Sequence, residues 1–212
     1  MPFPAKASGP TLKDAQVRPK ERGNAMPALI RLETTPLTWQ RAPGIRPSFA
    51  LHGKEGIVAT LTFQPGDNTL ARVETADGLW TLKHRGFPAD TVTLREVDSH
   101  VDLATFHPHP LGHGKLVFLS GDAFDWVRLG GPEGGGAFLD PDGMTLVRLT
   151  LRPDTSHKLI PDAPILAQAE VGLPHRIQPA GPALLAAVAW YLLRVEALLE
   201  HPDRAAETCL RM

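Results

Sequence analysis

The chain has 212 residues, 42% of them hydrophobic and 21% charged, with a formal net charge of -1. That length suits one β-rich domain with a sizeable core, and the charge excludes the basic excess of a nucleic-acid binder. The single cysteine, Cys209, excludes an internal disulfide and fits a reducing, cytoplasmic setting.

Residues 1–25 are rich in Pro, Lys, Gly and Ala and lack periodicity, which predicts a disordered segment. They carry no apolar run of the ~7–15 residues found in a secretory signal. Five of the 22 basic and two of the 23 acidic residues fall here, leaving 17 basic and 21 acidic in 26–212. A mildly acidic body disfavours tight binding to phosphate-rich surfaces. Met26 directly precedes the first strand-like run and is an alternative start of translation.

From residue 28 onward the pattern is strands and turns. Ile57, Ala59, Leu61 and Phe63 alternate with Val58, Thr60 and Thr62, and Val147, Leu149 and Leu151 alternate with Arg148, Thr150 and Arg152. A period of two predicts one buried face and one wet face. Similar runs fall near 28–33, 37–41, 48–52, 69–75, 78–84, 90–96, 101–106, 115–119, 123–129, 136–140 and 165–170. Turn signals separate them, including Pro65-Gly66-Asp67-Asn68, Ala76-Asp77-Gly78, Ser120-Gly121-Asp122 and Asp140-Pro141-Asp142-Gly143. The spacing predicts roughly 12–13 strands in a barrel or sandwich. The Gly130–Gly136 cluster precedes a strand rather than a helix, so it reads as a mobile hairpin loop and not as a phosphate loop.

Pro182 opens the one clear helix, spanning 182–200, whose Ala183–Leu193 stretch is apolar on every face. Such a helix must be buried on every side. Crossing a bilayer takes ~20 apolar residues, and this run meets Arg194 and Glu196 first. Its length of roughly 16 Å matches the wall of a barrel of tilted strands. Twelve strands also close to a bore of about the width of a dressed helix. The fold expected is all-β: a closed antiparallel barrel of about 12 strands around a buried C-terminal hydrophobic helix, over residues 26–200. Residues 201–212 read as a flexible tail. Cys209-Leu210-Arg211-Met212 has the spacing of a prenylation box, but Arg211 stands where an aliphatic residue belongs.

Gly78-Leu79-Trp80-Thr81-Leu82 with Gly86-Phe87, Gly114-Lys115-Leu116-Val117-Phe118, Gly121-Asp122-Ala123-Phe124-Asp125-Trp126 and Asp140-Pro141-Asp142-Gly143 resemble successive strands and hairpins of tubby-like domains. The closing hydrophobic helix strengthens the likeness over roughly residues 56–200. The chain looks nearest to the group containing LURP-one-related proteins and phospholipid scramblases. The resemblance implies a twelve-stranded barrel around the helix. It also implies binding of a phospholipid headgroup or another protein. The chain departs from that pattern in having one cysteine, no extended acidic loop and no dense basic patch, so no ligand residue is carried over.

Several side chains are candidates for chemistry. Lys83 and Arg85 share one strand face, with Leu82 and His84 on the other. Arg72, Arg95, Arg128, Arg148 and Arg152 are expected at outward strand positions. Lys83, Arg85, Arg128 and Arg148, if adjacent, suit a phosphate or carboxylate. The competing expectation is a solvated face pairing with Glu74 and Glu96. His107, His109 and His113 are spaced to ligate zinc or nickel, although Pro108, Pro110 and Gly112 mark a hairpin loop without an acid to act as base. Asp122, Asp125, Asp140 and Asp142 read as turn aspartates before acid–base pairs. No nucleophile elbow, P-loop, dinucleotide fingerprint or zinc-protease helix is present. Trp190 and Tyr191 read as core filler, the Tyr191 hydroxyl near a barrel mouth, and no cofactor is implied.

Three functional readings follow. The first is a non-enzymatic cytoplasmic binding or interaction module, engaging a phospholipid headgroup or a protein, with no nucleic acid and no transmembrane span. The second is a metal-dependent enzyme using the His107, His109 and His113 loop. The third is a β-sandwich carbohydrate-binding module, which predicts tryptophans exposed in a flat row, whereas a barrel predicts Trp80 and Trp126 at least partly buried.

Overall fold

The computed structural model describes residues 37–43, 46–86, 90–131, 134–152, 166–172 and 181–200. The segment 1–25, the strand expected at 28–33 and the tail 201–212 lie outside them. Twelve strands close into one barrel. They are β1 (Leu37–Arg41), β2 (Ser48–Gly53), β3 (Gly56–Gln64), β4 (Asp67–Thr75), β5 (Gly78–Arg85), β6 (Thr91–Glu96), β7 (Asp102–Pro108), β8 (Gly114–Phe118), β9 (Ala123–Arg128), β10 (Gly135–Leu139), β11 (Thr145–Leu151) and β12 (Ala167–Val171). Each pairs antiparallel with its sequence neighbour, and β12 returns to β1 through Leu37↔Ala169 and Trp39↔Ala167. Closure leaves no unpaired edge. It also replaces the sandwich reading: Trp80 and Trp126 are only 6% and 3% exposed, so no flat row of tryptophans faces solvent there.

The one α-helix among the described residues, α1 (Pro182–Glu200), fills the bore and packs against β3, β4, β5, β10, β11 and β12. Leu184 through Tyr191 are completely buried. By length and composition α1 reaches the threshold for crossing a membrane, yet the barrel wall encloses it. Each large apolar side chain it buries contributes about 1.5–3 kcal/mol. Leu184, Leu185, Val188 and Trp190 together therefore match the whole net stability of an ordinary domain, about 5–15 kcal/mol. The wall cannot be expected to close without its plug.

The plug gives the barrel two distinct rims. α1 enters beside the β4–β5 turn, where a Cβ on Gly181 would lie 2.4 Å from Asp77 Oδ2. It leaves beside the end of β9, where Arg128 meets Glu196. The hairpins β2–β3, β4–β5, β6–β7, β8–β9 and β10–β11 form the entry rim, and the connections β1–β2, β3–β4, β5–β6, β7–β8 and β9–β10 form the exit rim.

Strict alternation fails at the bulges. Leu51 pairs with Ala59 but His52 pairs with Ile57, so Val58 is an extra residue. Val58 turns inward to 4% exposure and Ile57 outward to 38%, the reverse of the expected faces. A bulge does this because one inserted residue shifts the phase of the pleat. The same event at Leu139↔Thr145 leaves Leu146 beside Val147, both buried.

Candidate functional site

At the level of Leu184–Tyr191 every helix residue is sealed from solvent. Chemistry must therefore sit at the rims or on the outer wall.

The exit rim holds most of the charged side chains the sequence singles out. On β5, Lys83 and Arg85 face outward, as expected. Lys83 Nζ donates to Asp67 Oδ2, and to Thr69 Oγ1 at 3.1 Å. Arg85 reaches Asp102 Oδ2 at 3.9 Å, while Arg95 holds the same aspartate at 2.8 Å, in place of the expected pairing with Glu74 or Glu96. Arg148 is exposed on β11, between Ala137 and Glu170 in register. With β5 and β11 separated by five intervening strands, the four candidate cations do not share one site.

Arg128 differs from expectation. It follows Phe124 and Trp126 in phase, so it lies on the inner face of β9 instead of the outer one. There it closes the mouth, with Nε 3.3 Å from Glu196 Oε2 on α1 and Nη1 3.2 Å from the Gly135 carbonyl. The β7–β8 connection folds over this pair as a short 3-10 turn, Pro110–Gly112. A Cβ on Gly112, whose φ is +74°, would sit 2.5 Å from Arg128 Cγ. Leu111 beside it has φ +68° and is 90% exposed.

That turn carries the three histidines. His107, His109 and His113 are all exposed, and a backbone bond from His109 N to the His113 carbonyl (2.8 Å) closes the loop. Among the described residues no group of three or more His, Cys, Asp or Glu side chains converges to hold a metal. The turn aspartates behave as the sequence predicts at Asp140, whose Oδ1 accepts from the N–H groups of Asp142 (3.0 Å) and Met144 (2.7 Å). Asp125 instead pairs with Lys115 at 3.2 Å.

Two further side chains, both from α1, mark the exit rim. Tyr191 donates its hydroxyl to the Thr69 carbonyl on β4, and burial pushes its ionisation well above the usual phenol range. Arg194 is the first charge after the apolar run. Its guanidinium lies 5.3 Å above the Phe49 ring, and its buried Nε has no hydrogen-bond partner among the described residues. Burial, then the nearby Arg41 charge, lowers its pKa to about 10.

The Asp67–Lys83 pair makes the rim acid-sensitive. Hydrogen bonds from Lys83 and Thr69 lower the Asp67 pKa to about 2 from an ordinary 3.8. A carboxylate depressed on folding stabilises the native state above its unfolded pKa and loses that contribution as pH falls through the folded value. Both side chains are about a third exposed, 38% and 34%, so the effect is expected to stay below about 1 kcal/mol. Urea unfolding of wild type and Asp67→Asn should differ by that amount at pH 7, with the gap closing between pH 4 and 2.

Compared with protein-family models, with curated proteins and with solved structures, the chain matches none.

Proposed function

We propose that the protein is a non-enzymatic interaction module, a cytoplasmic tubby-like barrel that docks a basic polypeptide segment on its entry rim. The observation that carries this reading is the row of exposed apolar tips there. Val101, Leu119 and Met144 sit on three successive hairpins, at 56%, 73% and 67% exposure. Alternate hairpins of a barrel lie about 10 Å apart, so the three tips line one side of the rim. Side chains this large, exposed together, mark contact surfaces more often than isolated ones do. Their neighbours choose the partner: Asp98, Asp122 and Asp142 are exposed around them, with Asp140 beside Met144. Like charge repels an anionic membrane, whereas a segment bearing Lys or Arg among apolar residues complements the rim.

Fluorescence anisotropy of a labelled Lys/Leu amphipathic peptide tests this, with a Glu/Leu peptide as control. Saturable binding of the first alone is expected, weakened at least tenfold by the triple change Val101→Ser, Leu119→Ser and Met144→Ser. Equal binding of both peptides, or none at low salt, removes the proposal. The lipid-headgroup reading draws support from the exit rim instead, where Leu111 projects beside Arg128. Co-sedimentation with phosphatidylserine or phosphoinositide vesicles at low salt measures it, and no binding there rules it out.

A further inference from the structure

We infer that the exit mouth of the barrel binds a carboxylate group through Arg194, on the far side of α1 from the Arg128–Glu196 pair. Arg194 is the one arginine of α1, placed where the helix leaves the wall. Its Nε is sealed from solvent and meets no acceptor among the described residues. The guanidinium carbon lies over the Phe49 ring, 5.3 Å from its centroid. Phe49 is itself fixed, packed edge-on against Phe63 and Trp190 at 6.2 and 5.5 Å. A guanidinium carries its remaining N–H groups as a planar fork, the geometry that recognises a planar anion bidentately.

Charge and shape specify the class. A cation kept partly buried without an acid is costly, and the nearby Arg41 charge adds to that cost. An arriving anion relieves both. One unpartnered guanidinium matches a monoanion, and a planar ligand lying over a flat ring matches a carboxylate better than a tetrahedral phosphate. The carboxylate belongs either to a small free acid or to an acidic side chain of a bound polypeptide. This site is at the opposite rim from the apolar tips, so it stands or falls separately from the docking proposed there.

The test follows the Arg194 Nε–Hε resonance of the full-length chain by nitrogen–proton NMR at constant ionic strength. Acetate, a short Glu-containing peptide and inorganic phosphate are titrated in turn. A saturable shift is expected with acetate and with the peptide. Half-saturation at least tenfold lower for the peptide assigns a polypeptide ligand; equal values assign a free acid. No saturation with either, or tighter binding of phosphate, overturns the inference. Arg194→Met should abolish peptide binding while leaving the thermal midpoint unchanged or raised, because it removes an unpaired charge and keeps the apolar stem. A lowered midpoint with peptide affinity retained would instead mark Arg194 as purely structural.

Discussion

Replacing Trp190 with alanine should lower the free energy of unfolding by about 3–5 kcal/mol, the cost of deleting a large aromatic from a packed core. Trp190 is completely buried at the axis of the barrel. Its ring stacks on Trp39 at 5.6 Å and meets Phe49 edge-on at 5.5 Å. The alanine therefore empties space that the helix shares with the surrounding wall. Relaxation is limited, because a closed wall cannot collapse inward without breaking its hydrogen bonds. Against a net stability of about 5–15 kcal/mol, this is enough to bring the barrel near its threshold. Trp190→Phe should cost much less. The Nε1 groups of Trp190 and Trp39 are buried without partners among the described residues, so the phenyl ring loses volume but also removes an unsatisfied donor. Urea midpoints of the two variants check the ordering; equal losses would mean that the indole is not filling the bore.

The architecture is legible in the sequence because one constraint dominates it. An apolar run with no polar face has to be surrounded, and the number of strand-like runs suits a wall that surrounds it. The described strands begin and end within a few residues of the periodic runs, and the expected helix bounds coincide with Pro182–Glu200. Alternation fails where an inserted residue shifts the pleat, as at Val58 and Leu146, and a bulge leaves no composition signal. The functional surface is far less legible. Arg128 reads as one more outward arginine until Phe124 and Trp126 show which phase faces in. Arg194 reads only as the end of an apolar run, since its burial depends on the wall height and on Phe49, remote in sequence. Lys83 and Arg85 are correctly placed on one face, but their acids, Asp67 and Asp102, lie on other strands.

The second large effect is expected at Gly135, in the glycine cluster that composition alone assigns to a mobile loop. Gly135 and Gly136 belong to β10 and are buried. A Cβ on Gly135 would lie 2.0 Å from the Leu149 carbonyl oxygen, a backbone atom of the paired strand that cannot step aside, and its φ is +125°. A Cβ on Gly136 would meet Trp126 Cζ2 at 2.2 Å. Gly135→Ala combines overpacking, about 1–3 kcal/mol, with a backbone conformation that L residues disfavour by about 1–2 kcal/mol. A loss of roughly 2–5 kcal/mol should follow. It should loosen the β10–β11 pairing first, where Gly135 opposes Thr150. Gly130 is the control, from the start of the same cluster. Among the described residues nothing lies within 4 Å of the point its methyl group would occupy, and its φ is not positive. Gly130→Ala should therefore leave stability unchanged or raise it by about 0.4–1 kcal/mol, by restricting the unfolded chain. Denaturant unfolding of the two single variants decides the matter. If both behave alike, the cluster is a loop throughout and the close approach of β10 to β11 is wrong. If Gly135→Ala alone collapses, the cluster divides into a loop that tolerates side chains and a strand whose contact with its neighbour admits none.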